Sequence, residues 1–165
     1  MSALPRAHSV AAPGHWSDAA DRIALDFAAR FLRRKKLVAD GGLAFLVDLP
    51  QTTDVPSGAA FLLEDGRAVA VEAAVEPLLR ITGPDLTRIA WHIGNRHTPC
   101  QIETDHLLIG RDPVLRDMLG HLGASVAEVD APFMPEGGAY GVGRTHGHAH
   151  DHTHDGRAAQ SHDHG

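Results

Sequence analysis

Seven of the 13 histidines in this sequence lie in its last 22 residues, RTHGHAHDHTHDGRAAQSHDHG. His146, His148, His150, His152 and His154 alternate with Gly, Ala, Asp and Thr, and His162 and His164 follow. Neutral imidazole is a borderline ligand for Ni(II), Cu(II) and Zn(II), and a flexible run of imidazoles can wrap a cation without a preformed cage. No side chain here is both apolar and larger than alanine, so residues 143–165 are expected to form a disordered, metal-binding tail. An engineered tag is the bland alternative, but such tags are usually uninterrupted histidines. Binding needs deprotonated imidazole, so tail capacity should fall as pH drops through about 6.5.

A second candidate is His97, in WHIGNRHTPCQI. A histidine between a Gly-Asn break and a proline has a fixed direction, which suits a ligand; capping of a helix end is the competing reading. One imidazole is a weak site alone, but a two-fold axis would bring two copies together, and tail imidazoles could supply the rest. His92, one turn earlier, suits packing or orientation of a ligand, with ligation as a secondary possibility. Cys100 reads as a small buried hydrophobe rather than a soft ligand. His106 and His121 read as incidental surface residues, as do His8 and His15. No nucleophile elbow, phosphate-binding loop or HExxH helix occurs, so the chain is not expected to be an enzyme or to bind a nucleotide.

The elements that must position these residues follow from composition and period. With 43% hydrophobic and 22% charged residues, most of the 165 should fold as one ordinary domain or two small ones. A net charge of −6 and 5% aromatics argue against nucleic acid as a partner. The lone cysteine excludes an internal disulfide and any zinc site needing several cysteines from one chain. Neither a signal-peptide core nor a membrane span is visible, so the expectation is a cytoplasmic protein without membrane contact.

Residues 1–17, rich in Ala, Pro and Ser, read as a flexible leader. From about 18 to 76 a small, mostly antiparallel β domain is expected, suited to binding a partner or peptide. Residues 22–40 fit helix and strand periods equally, and Arg33-Arg34-Lys35-Lys36 within them reads as a solvated or partner-facing strand end. Leu43, Phe45, Val47 and Leu49 alternate as a strand that Pro50 should end, and Asp65-Gly66 suits a tight hairpin. From 77 to 142 the expected order is strand, helix, strand, strand, helix, strand, a ferredoxin-like βαββαβ unit in an α+β chain. Its helices carry the stripes Leu86/Ile89/Ala90/Ile93 and Leu115/Met118/Leu119/Leu122. Gly94-Asn95 is expected to close the first helix, and Gly123 the second.

GNRHTPCQI (94–102), LRDMLGHLGA (115–124), PFMPEGGAYG (132–141) and the histidine-rich end together resemble the urease accessory protein UreE family, as does DGRAVAVEAAVEPLLRI in the first half. The resemblance covers roughly residues 20–141. It implies a cytoplasmic nickel metallochaperone, a homodimer that passes Ni(II) as cargo toward apo-urease through the urease accessory GTPase. His97 would then be the interface ligand, and His92 could assist. Some relatives carry a peripheral His-x-His pair ahead of the second helix; Arg111 and Pro113 stand at those positions, so that site is expected to be absent. Zn(II) or Cu(II) would also bind in vitro, since ligand type alone does not select nickel. A nickel or zinc buffer without a delivery partner, and a peptide-binding chaperone, are the alternative functions.

Overall fold

The computed structural model of the protein describes residues 3–137. Ten strands and two helices form two sheets joined in sequence. The first sheet holds β1 (Arg6–Ala11), β2 (Ala19–Leu25), β3 (Phe31–Val38), β4 (Ala44–Asp54), β5 (Ala60–Leu63) and β6 (Ala68–Ala73), in the order β2-β6-β5-β1-β4-β3. Its core is the inward set expected from alternation: Phe45, Val47 and Leu49 on β4, with Phe61, Val69 and Val71. The Asp65-Gly66 pair makes the β5–β6 hairpin, with Gly66 at φ 91° and Leu63 N–H donating to the Arg67 carbonyl.

Two expectations are corrected here and one open reading is decided. A flexible leader was expected over residues 1–17, but Arg6–Ala11 within it is a strand of the sheet. β1 lies between β4, which it meets in parallel, and β5, antiparallel to it, and Ala7 is wholly buried. Its small, polar composition carries no strand signal; the backbone pairing on both sides makes it one. The stretch whose period was undecided is two strands, β2 and β3, separated by a turn at 26–30. And Pro50 does not end β4. The β3–β4 register jumps from Arg34↔Asp48 to Leu32↔Thr53, which places Pro50 in an irregularity of β4 where no ladder donor is required of it.

The second sheet contains β7 (Val75–Thr82), β8 (Gln101–Ile102), β9 (Leu107–Gly110) and β10 (Ser125–Pro132), in the order β10-β7-β9-β8 with all neighbours antiparallel. Helix α1 (Leu86–Asn95) joins β7 to β8, and α2 (Pro113–His121) joins β9 to β10. Alternation along the strands divides the apolar residues between two faces. Leu79, Ile81, Leu107 and Ile109 meet Ile89 and Ile93 of α1 and Leu115 and Leu119 of α2. Leu78 and Leu108 point the other way, into a smaller cluster with Phe133 and, from the first unit, Phe27. Phe27 and Phe133 meet edge to face at 5.4 Å. Beside them the buried Arg30 donates to the carbonyls of Leu25 and Phe133, tying the first unit to the end of the second.

Candidate metal centre

Helix α1 is fixed at both ends. The Asp85 carboxylate accepts from the Arg88 N–H at 3.2 Å, capping the first turn. Ile89 and Ile93 bury one stripe against the sheet, while Trp91 lies 63% exposed on the helix. The half-buried His92 meets the Trp91 ring edge-on at 5.0 Å, so its imidazole is oriented by packing.

Gly94 and Asn95 are the last two residues of the helix, Arg96 is its C-cap, and the closing left-handed residue is neither of the expected pair but His97, at φ 57°. The closure has two hydrogen bonds: His97 N–H to the Gly94 carbonyl at 2.9 Å, and Thr98 N–H to the Ile93 carbonyl at 3.5 Å. This is the Schellman arrangement, which strongly favours glycine at its left-handed position. Helix α2 ends by the same motif. There Gly123 N–H bonds to Gly120 and Ala124 N–H to Leu119, both at 3.1 Å, with Gly123 at φ 81°. One domain therefore uses one turn twice, with glycine at one helix end and an exposed histidine at the other.

The chain then enters Thr98-Pro99-Cys100, and two contacts clip the end of the described chain against it. Glu136 N–H donates to the Cys100 carbonyl at 2.9 Å, and Met134 N–H donates to the side-chain oxygen of Gln101 at 2.8 Å. Gln101 is buried, and its amide nitrogen donates to Glu103. The segment leading toward the C-terminal histidines is thus held three residues from His97. Sequence reasoning missed this clip; a glutamine in an otherwise apolar strand was its only local signal. Burial, with the Glu136 carboxylate adding to it, pushes the Cys100 thiol up to about 11, so near neutral pH it is a thiol and not a thiolate. Cys100 packs against the helix-covered core, as its apolar setting suggested.

Three other described histidines have surroundings of their own. His106 bonds the Asp105 carboxylate at 2.6 Å, which holds that carboxyl below its ordinary range. His121 is exposed at the end of α2, beside a shallow depression it shares with Arg116, Asp117 and Val126. His8 bonds the Asp48 carbonyl on the first sheet. Arg111 binds the carbonyls of Leu78 and Val129 and the Asp130 carboxylate, and Pro113 opens α2 behind the Asp112 cap. Among the described residues no three His, Cys, Asp or Glu side chains converge as a metal site. Among the described residues His97 belongs to no such group, so a metal site built on it would need ligands from elsewhere. The tail candidates His146, His148, His150, His152, His154, His162 and His164 lie outside the described residues.

Two family models match the chain: "UreE urease accessory protein, N-terminal domain" over residues 3–74 and "UreE urease accessory protein, C-terminal domain" over residues 76–164. The sequence is 60% identical over 146 residues to the urease accessory protein UreE of Ruegeria pomeroyi, covering 88% of this chain and 98% of that one. It is 60% identical over 154 residues to that of Rhodobacter capsulatus, covering 93% and 98%. With the Cereibacter sphaeroides protein of the same name it shares 54% over 149 residues, covering 90% and 81%.

Proposed function

Because the chain belongs to the UreE urease accessory protein family, we propose that it is a cytoplasmic nickel metallochaperone, a homodimer that donates Ni(II) during urease assembly through the urease accessory GTPase. In this reading it is a carrier and not a catalyst. The nickel site forms where two His97 side chains meet across the dimer axis, and His146, His148, His150, His152, His154, His162 and His164 gather metal and pass it there, with His92 assisting. The order β10-β7-β9-β8 with two helices on one face supports a ferredoxin-like unit as the scaffold.

The observation that carries the proposal is the residue at the end of α1. A left-handed backbone costs a residue with a Cβ on the order of 1 kcal/mol relative to glycine. The chain accepts that cost at His97 while using Gly123 in the equivalent turn of α2. A strained position filled by an exposed, metal-competent side chain is where function offsets stability. The turn sets the direction in which the His97 Cα–Cβ bond leaves the helix end, which a two-fold site needs. The loose alternation of the tail supplies several interchangeable ligand sets, from which exchange is faster than from a closed cage. The clip of Glu136 onto Cys100 supports this by holding the chain at residue 136 against the strand that follows His97.

Equilibrium dialysis with Ni(II) tests the division of labour. Truncation after Gly143 should remove most bound nickel yet leave about one ion per dimer, and adding His97→Ala should abolish that ion. Loss of all binding on truncation alone would remove His97 from the account.

A further inference from the structure

Strand β3 ends the first sheet: among the described residues β4 is its one strand neighbour, and its other edge is not paired with any strand of them. Along that edge Arg33, Arg34, Lys35 and Lys36 are all exposed, and Lys35 and Lys36 are the chain's two lysines. Leu32 and Leu37 flank them, both buried in the core, so the run is anchored at each end. Every ion pair among the described residues lies elsewhere. Asp48, opposite Arg34 in the register, is taken by Arg6 at 3.3 Å, and Arg33 donates to the Leu49 carbonyl. In a chain of net charge −6, four adjacent cations are therefore left without acidic partners on a strand that can still accept another strand.

A basic edge resists pairing with a second copy of itself, since the copy brings the same four charges. That guard is selective. An extended segment with alternating carboxylates would supply the missing ladder hydrogen bonds and pair with the cations on one face of the strand at once. We propose that β3 is a docking edge for an extended, acidic segment of a partner protein, which adds to the sheet as a seventh strand. The edge belongs to the first sheet and His97 to the unit built on the second, so docking here does not use the proposed metal ligand, a statement that rests on the function proposed above.

The test uses the full chain, at a pH where imidazole is neutral and with a chelator present, and a fluorescent peptide of alternating Glu and Val read by anisotropy. The peptide should bind, protect the β3 amides from hydrogen exchange, and bind the Arg34→Gln/Lys35→Gln/Lys36→Gln variant about tenfold more weakly, as expected for two exposed ion pairs on the face that carries Arg34 and Lys36. A peptide N-methylated at alternate residues keeps its charge but cannot pair, and should lose binding. No binding, equal binding by the N-methylated peptide, or equal binding by the variant would overturn the proposal. So would equal competition by a single-stranded DNA oligomer, which would make the patch a nucleic-acid surface. Tighter peptide binding after deletion of residues 144–165 would make the chain's own tail the occupant and would overturn it too.

Discussion

Arg30 sets the junction between the two units, and replacing it with methionine tests how much it contributes. Its guanidinium is 3% exposed and donates to the Leu25 carbonyl at 2.9 Å and to the Phe133 carbonyl, with the Phe27 ring 6.0 Å away. A hydrogen bond from a charged donor contributes roughly 1.5–3 kcal/mol, and the two share one buried charge whose desolvation offsets part of that gain. Methionine keeps most of the apolar stem but leaves both carbonyls without this donor. The expected loss is about 2–4 kcal/mol, or roughly 8–16 °C in Tm at about 4 °C per kcal/mol for a chain of this size. Urea denaturation followed by Trp16 and Trp91 fluorescence reads both units, since the two indoles lie on opposite sides of the junction. Arg34→Met on the exposed edge is the control, expected to stay within about 0.5 kcal/mol. If Arg30→Met also stays within that margin, the junction does not depend on Arg30 and the clip at Phe133–Glu136 has some other support.

Other outcomes follow from single contacts. His97→Gly should preserve or raise thermal stability by up to about 1 kcal/mol, whereas His97→Ala should not, because only glycine relieves the left-handed backbone; calorimetry of the metal-free protein distinguishes them. Cys100 should react with iodoacetamide at about pH 8.5 on the order of a hundredfold more slowly in the native chain than in urea, since its folded thiol titrates near 11. Asp21 accepts from the N–H groups of Gly41, Arg22 and Leu43, which hold its carboxyl below the ordinary range. Its folded pKa is depressed, so its contribution is present above the ordinary carboxylate pKa and is lost as pH falls through the folded value. The stability gap between wild type and Asp21→Asn should therefore be full at neutral pH and narrow below about pH 4 in urea titrations.

What was legible in the sequence was local. The Asp65-Gly66 hairpin and the stripes Ile89/Ile93 and Leu115/Leu119 each sit within a few residues of the partners that define them. What was not legible depends on distant backbone. Residues 6–11 become a strand through β4 and β5, some 40 and 50 positions away. Residues 22–38 had two possible periods until β6 and β4 paired with them. At the site, His97 stood out by type and setting, but its left-handed conformation did not, because Gly94 and Asn95 were the better local candidates to close the helix. The clip of Met134 and Glu136 onto Gln101 and Cys100 spans over 30 residues and left no pattern to read.

Native mass spectrometry of the chain truncated after Gly143, with and without His97→Gly, tests the central claim most directly. It reads chain number and nickel number in the same species, and glycine keeps the helix end intact while removing the imidazole. The account predicts a dimer carrying one Ni(II), and for His97→Gly a dimer carrying none. Nickel bound to single chains, or retained by the His97→Gly dimer, would contradict it.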